Sequence, residues 1–257
     1  MTLRRVVMHS VVGLGVIAMV TAGFWQLHRL SERQDQNRAI SDRGRLPVAD
    51  VHDLVRIGDD FEIGGDLEYR PVRAVGVYQP AAQVLVRNRT YQGSAGYWVL
   101  TPMRLRTGAL VAVNRGWIPH ATGTGDSPAT FAPPVGEVVV TGLVRDTVTA
   151  TGLQQPDPAD GTLSEMARPD LGRLARQLDG PLLPVYVQLE AQSPPVSTLP
   201  VPVPPPEQDN GPHLAYAVQW FVFATITLVG YPLILRRLGR PQPQALLSPE
   251  PQTADTL

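Results

Sequence analysis

The sequence predicts a membrane protein of the α+β class, in which two transmembrane helices flank an extracytoplasmic domain. Two apolar segments, residues 6–27 and 214–235, contain no Asp, Glu, Lys or Arg. Each is about 20 residues long, which is the length that an α-helix needs to cross the hydrocarbon layer of a bilayer. Between them, short runs of alternating β-branched or aromatic residues predict an antiparallel β-sheet or small barrel with one or two helices.

In chain order, these patterns divide the sequence into seven parts. They are a cytoplasmic N-terminus (1–5), a transmembrane helix (6–27), a helical extension (28–45), an extracytoplasmic β-rich domain (46–193), a Pro-rich connector (194–213), a second transmembrane helix (214–235) and a disordered cytoplasmic tail (236–257). The interleaved charges after the first segment favour a helix that continues beyond the membrane. Prolines in the connector predict a stiff polyproline-type strut.

Six strands and one helix are predicted inside the β-rich domain. The strands are 69–79, 83–89, 96–103, 109–118, 136–145 and 182–190. Short connections between neighbouring strands predict antiparallel hairpins. Residues 164–178 are the helical candidate, because Pro169 is typical of a helix start. Arg115 could contact an acidic group on a partner, but a role in supporting a corner of the sheet is preferred.

The charges that flank the apolar segments predict the orientation. Three arginines (Arg236, Arg237 and Arg240) follow the second segment, whereas two acidic residues precede it. By the positive-inside rule, both termini are therefore expected in the cytoplasm and the domain outside the plasma membrane of a bacterial cell. A cleaved signal peptide ending near residues 20–22 is the alternative for the first segment, although the apolar stretch continues to Leu27.

The composition argues against several functional classes. The net charge of −1 and the lack of an Arg-rich stripe predict no nucleic-acid partner. The absence of Cys excludes disulfides, thiolate nucleophiles and covalent haem attachment through C-x-x-C-H. No Lys is available for a phosphate-binding loop, no G-x-S-x-G motif occurs, and the five histidines are scattered. We therefore expect that the chain is not an enzyme.

Histidine and aromatic residues meet at the predicted outer ends of the two apolar segments. His213, Tyr216 and Trp220 share one helical face, since they are three and seven positions apart. Because neutral imidazole is a standard ligand of haem iron, this face favours a site for a flat, apolar, metal-bearing ligand. The alternative is an aromatic belt with an interfacial histidine, which needs no ligand.

The end of the first segment carries similar chemistry. Trp25, His28 and Arg29 share a helical face, and an antiparallel hairpin would bring them to the depth of His213. Arg29 could then pair with a haem propionate. Axial ligation by both His28 and His213 is conceivable, but an interfacial role for His28 is preferred.

Five sequence blocks occur in order along the chain. They are GFWQLHR at 23–29, YRPV at 69–72 with GVY at 76–78, GYWVLTP at 96–102, VNRGWIP at 113–119 and HLAYAVQWF at 213–221. The first resembles the G-x-W-Q-x-x-R signature of the surfeit locus protein one family, and the ordered set is similar to that family over both apolar segments and most of the domain. His28 falls at a variable position of its block, so the resemblance does not support it as a ligand.

The resemblance implies an assembly factor for haem-copper cytochrome c oxidase. Bacterial members are implicated in binding haem a for insertion into the oxidase core subunit, and the proposed iron ligand of the closing block corresponds to His213. We therefore expect a membrane-anchored chaperone in which His213 binds iron, Tyr216 and Trp220 wall the ligand, and Trp25 and Arg29 close the site. The expected partners are oxidase subunit I, the haem a synthesis machinery and the lipid bilayer.

Two other functions remain as alternatives. The first is a cofactor-free protein scaffold that stabilises oxidase subunits through the sheet domain. The second is a membrane-tethered hydrolase, which is the least favoured because the chain lacks Cys, Lys and any recognisable nucleophile arrangement.

Overall fold

The structure, a computed structural model, describes residues 3–61, 67–125, 128–196, 198–205 and 208–238. In this part of the chain the helices are α1 (Leu3–Gly44), α2 (Val51–Leu54), α3 (His120–Gly125), α4 (Leu171–Ala175) and α5 (His213–Leu238). The strands are β1 (Ala49–Asp50), β2 (Pro71–Tyr78), β3 (Val84–Tyr91), β4 (Ser94–Leu105), β5 (Leu110–Pro119), β6 (Glu137–Asp146), β7 (Glu165–Met166) and β8 (Leu182–Ser193). Beyond Leu238, the predicted tail lies outside the described residues.

The chain divides into two compact units. One comprises Met1–Gln34 and Asn210–Leu257, and the other comprises Asp35–Asp209. We call them the helical unit and the barrel unit. Helices α1 and α5 are both long and apolar enough to cross a membrane, judged by length and composition. Helix α1 runs without a break through the charged residues 28–44, where Arg29 pairs with Glu32 and Arg38 pairs with Asp35 three positions apart.

Small residues lie where α1 and α5 meet in the helical unit. Ala217 and Ala224 of α5 are buried, and the ring of Phe221 lies so close to Gly23 that a Cβ there would be 2.7 Å from the ring. Phe221 also packs edge-on against Phe24, with the ring centroids 5.4 Å apart. Helices associate in this way in lipid, where packing rather than the hydrophobic effect holds them together.

Five strands of the barrel unit pair in a closed ring. The ring runs β2-β6-β8-β5-β4 and closes through pairing of β4 with β2. Numbered by their order in the chain, the five strands follow the order 1-2-3-5-4, which is that of the OB-fold barrel. Strand β3 extends the hairpin that it forms with β4.

All six predicted strands are confirmed, with ends that differ by no more than three residues. The prediction of a wholly antiparallel sheet is wrong, because β1–β2, β3–β7 and β5–β8 are parallel pairs. Strands β5 and β8 can pair in parallel because the long connection between them, which contains β6 and α4, lets the chain return in the same direction.

The single helix predicted over residues 164–178 is also wrong over most of its length. Strand β7 occupies its start, and α4 forms only after Pro169. The side chain of Asp170 accepts a hydrogen bond of 2.8 Å from the backbone N–H of Arg173, so Asp170 caps the helix and fixes its first turn. The described residues of the barrel unit also contain α2 and α3, which the periodicity did not indicate.

The apolar face of every barrel strand lines the interior. This core includes Val72 and Ala74 from β2, Met103 from β4, Val111 and Val113 from β5, Val138 and Val140 from β6, and Val185 and Val187 from β8, all with no exposed surface. A second cluster joins Leu171 and Leu174 of α4 to residues of β3, β4, β5 and β8, and α4 packs against β8. The alternation that predicted the strands therefore also selects the residues of the core.

The Pro-rich connector, which was predicted to be a stiff strut, lies against the barrel. Trp117 and Val201 exchange two backbone hydrogen bonds of 2.7 and 2.9 Å. The amide nitrogen of Gln188 donates to the carbonyl oxygens of Val203 and Pro204 at 2.9 and 3.2 Å. Prolines leave backbone carbonyls free to accept such bonds, so a segment with few N–H groups can still be fixed to a sheet.

Candidate functional site

The start of α5 carries the histidine that the sequence singles out. His213 is the first residue of the helix and follows the turn Gly211-Pro212, in which Gly211 has a φ of +60°. The backbone N–H of Tyr216 donates to the carbonyl of Pro212 at 3.1 Å and closes the first turn. His213 is half-buried, so its imidazole is held by the protein while part of the ring stays accessible.

The imidazole of His213 pairs with Gln26 of α1. The Nδ1 atom of His213 lies 2.9 Å from the amide oxygen Oε1 of Gln26, although 187 positions separate the two residues. Gln26 is itself half-buried. A polar amide inside an apolar segment is costly without a partner. This bond gives the amide of Gln26 a hydrogen-bond partner, and it also orients the imidazole of His213.

The two aromatic residues predicted to wall the ligand lie one and two turns after His213 on α5. The side chain of Tyr216 is 49% exposed, and Trp220 is half-buried with its ring edge-on to Phe223 at 6.3 Å. Ala217, which lies one turn after His213, is only 1% exposed because it faces α1. His213 thus sits at the margin of the helix contact, with an accessible phenol on the same helix.

The predicted residues of α1 are largely exposed. Trp25 is 57% exposed. Arg29 donates a hydrogen bond of 2.7 Å to Glu32, and His28 lies 3.3 Å from the other oxygen of that carboxylate, with 71% of its side chain exposed. The side chain of α1 that reaches His213 is Gln26, which the sequence analysis did not include among the site residues.

A signal for Gln26 was available in the sequence. It is an uncharged polar residue near the end of an apolar segment, and it stands inside the first of the ordered blocks. Polar residues within apolar spans commonly face another helix. The partner could not be predicted, however, because the contact depends on the rotation of both helices about their axes.

A second polar contact joins the other ends of the same helices. The hydroxyl of Tyr231 lies 2.6 Å from Nδ1 of His9, and the two rings meet edge-on with centroids 5.6 Å apart. The helical unit is therefore fixed by a histidine contact near each end, with the Gly23–Phe221 packing between them. Only the His213 end carries the accessible tyrosine and tryptophan of the predicted site.

Arg115 has a structural role in the barrel unit. It is 1% exposed, which excludes a surface contact in this structure. Its guanidinium donates to the carbonyl oxygens of Phe131 and Ala132 at 2.8 and 3.1 Å, and it lies over the ring of Tyr78. Burial lowers the pKa of Arg115 to about 10, against a smaller opposing effect from Tyr78. The preferred interpretation of Arg115 as a support of the fold is therefore confirmed.

A charged cleft of about 260 Å³ lies on the barrel unit. It is lined by charged and titratable side chains that include Asp50, His52, Arg73, Arg106 and Glu137. Arg106 donates two hydrogen bonds to Glu137, at 2.6 and 2.9 Å, and Nδ1 of His52 lies 2.5 Å from Asp50. Most of these groups neutralise one another, so the cleft presents little unpaired charge to a ligand.

Comparisons with known proteins connect this geometry to a family. The SURF1 family model matches residues 14–225, a range that includes Gln26, His213 and the whole barrel. Uncharacterised SURF1-like proteins of Mycobacterium bovis and Mycobacterium tuberculosis are 29% identical over 241 residues, covering 90% of this chain and 86% of each relative. A SURF1-like protein of Monosiga brevicollis is 29% identical over 67% of this chain and 68% of its own length.

Proposed function

Because the chain belongs to the SURF1 family, whose members are known generally as oxidase assembly factors, we propose that it binds haem a through His213 and aids the insertion of haem a into cytochrome c oxidase subunit I. In this proposal the protein is a chaperone and not an enzyme. It acts in a bacterial plasma membrane, with both termini in the cytoplasm, the barrel outside, and the haem a synthesis machinery as the source of the ligand.

The observation that carries the proposal is the contact between His213 and Gln26. It holds a half-buried imidazole at the end of two apolar helices, with one ring nitrogen bonded to the protein. Histidines that bind metals are typically fixed through their other nitrogen in this way. A haem would supply an iron centre for this imidazole and a flat apolar ring for the neighbouring side chains.

The described residues fit such a group. His213 would bind iron, while Tyr216 and Trp220 offer aromatic surface on the same helix. Trp25 and Arg29 remain proposed members of the site from the first helix. Arg29 would exchange its bond to Glu32 for one to a propionate, which costs little because both partners are carboxylates and the existing pair is half exposed.

The test is the haem content of the full-length protein, purified in detergent from cells that make haem a. We expect the wild type to show the spectrum of histidine-ligated haem and His213→Ala to lose it. His9→Ala is the matched control, since it removes an imidazole from the same helix pair at the opposite end. His28→Ala tests ligation by two histidines, and we expect it to retain haem. Equal haem content in wild type and His213→Ala would refute the proposal.

The cofactor-free scaffold remains the second candidate. The observation in its favour is that the barrel unit has its own core and a cleft lined by Arg73, which would serve a protein partner without haem. In cells, this function predicts full oxidase assembly with His213→Ala and loss of assembly when Arg73 in the cleft is replaced by Glu. The haem-binding function predicts the opposite for His213→Ala.

A further inference from the structure

We propose that Gln26 is a positioning residue that sets the tautomer of His213, so that Nε2 is the nitrogen presented to iron, and that Gly211 keeps the space beside this nitrogen open. The inference rests on the proposed haem-binding function and extends it to Gln26 and Gly211, two residues that do not themselves bind the iron. It depends on the contact between two side chains of the helical unit and on the space around the imidazole.

The bond to Gln26 determines where the imidazole proton lies. The atom of Gln26 that contacts His213 is the amide oxygen, which can only accept a hydrogen bond. With this oxygen facing the ring, Nδ1 of His213 donates the hydrogen bond. A neutral imidazole has a single N–H, so Nε2 then has no proton and exposes its lone pair. Iron needs such a lone pair, and the bond also makes the ring a stronger ligand.

The packing of α1 fixes the side chain that makes this bond. Gly23 lies one turn before Gln26 and contacts the ring of Phe221, which joins α1 to α5 at this level. Gln26 is half-buried beside this contact. If the amide turned away from His213 it would lose its partner inside an apolar segment, which is costly in lipid. The amide of Gln26 is therefore held against Nδ1 of His213.

A side chain at residue 211 would contact the Nε2–Cδ2 edge of the His213 ring. A Cβ added to Gly211 would lie 3.3 Å from Nε2 and 3.2 Å from Cδ2 of His213. A metal bonded to an imidazole nitrogen lies about 2 Å from it, so a methyl group against the Nε2–Cδ2 edge would crowd the macrocycle that this metal carries. Gly211 and Gln26 thus act on opposite edges of one imidazole.

The tautomer can be measured in the protein without haem. In the apo protein labelled with 15N-histidine, we expect NMR to show His213 protonated on Nδ1. Gln26→Met keeps the length of the side chain but removes the acceptor, so the proton should move to Nε2 in a large fraction of molecules. Gln26→Glu keeps an acceptor and should retain the wild-type tautomer. His9 is the internal control, because its bond to Tyr231 does not involve Gln26.

Haem affinity gives the second measurement. Loss of an outer hydrogen bond to a metal-binding histidine typically weakens binding by about 10- to 100-fold, so we expect that loss in Gln26→Met and near wild-type affinity in Gln26→Glu. Gly211→Ala should weaken haem binding while leaving the apo tautomer of His213 unchanged. Gln26→Met therefore tests the position of the imidazole proton, whereas Gly211→Ala tests the access of haem to Nε2.

The outcomes distinguish this inference from the function on which it rests. Protonation of His213 on Nε2 in the wild type would overturn the role of Gln26. So would wild-type affinity in Gln26→Met when His213→Ala has lost its haem, and that result would leave the haem-binding function intact. Equal haem binding by wild type and His213→Ala would refute the function itself.

Discussion

Replacing Gly116 by Ala tests how the connector is held against the barrel. Gly116 has a φ of +134°, and a Cβ at this position would lie 2.2 Å from the carbonyl oxygen of Val201. The contact is with backbone, so it cannot be relieved by turning a side chain. We expect the connector to move away and the two hydrogen bonds between Trp117 and Val201 to be lost.

The size of the effect follows from these two contributions. A side chain held in a sparsely populated backbone region costs about 1–3 kcal/mol, and each lost hydrogen bond costs about 0.5–1.5 kcal/mol. The free energy of unfolding of the barrel unit should therefore fall by about 2–6 kcal/mol. For a unit of this size, the melting temperature should fall by roughly 10 °C.

Gly108→Ala is the matched control for this substitution. Gly108 also has a positive φ, of +87°, but nothing lies within 4 Å of the position of its Cβ. It should therefore show the backbone cost alone, about 1–2 kcal/mol. Thermal unfolding of the full-length protein in detergent, followed by circular dichroism, measures both variants. A melting temperature for Gly116→Ala no lower than that for Gly108→Ala would show that the connector contact adds nothing.

Two further predictions concern charged residues of the barrel unit. Arg115→Met should lower the free energy of unfolding by about 3–5 kcal/mol, since it leaves the buried carbonyl oxygens of Phe131 and Ala132 without their donor; thermal unfolding measures it, and a loss below 1 kcal/mol would contradict the structural role. The hydrogen bonds from Arg106 lower the pKa of Glu137, so the stabilisation from this pair is present above the unfolded pKa of Glu137 and disappears as the pH falls through its lower folded pKa. The difference in melting temperature between wild type and Glu137→Gln should therefore shrink as the pH is lowered from 7 to 3, and a difference independent of pH would refute this linkage.

The sequence predicts those parts of the structure that depend on local patterns. The alternation in residues 136–145, for example, locates β6 and selects Val138 and Val140 for the core. The parallel pairing of β5 with β8 was not predictable in the same way. It depends on how the chain returns across the barrel, and the sequence within each strand contains no pattern that identifies its pairing partner.

The same distinction applies to the candidate site. His213 and Tyr216 could be identified because their spacing and residue types are local properties of one helix. The role of Gln26 requires knowledge of which faces of α1 and α5 meet, and that is decided by Gly23, Ala217 and other small residues acting together. The pairing of Arg29 with Glu32, three positions along the same helix, is a local property as well, but it was not considered in the prediction.

The ring of barrel strands is completed by a short seam. Strands β4 and β2 pair through only three positions, Gly76 with Leu105, Val77 with Arg104 and Tyr78 with Met103. A Cβ on Gly76 would lie 2.2 Å from the carbonyl oxygen of Arg104, so any side chain there would part the strands. Local unfolding of the barrel should therefore begin at this seam, where the fewest cross-strand bonds must break before water reaches the interior.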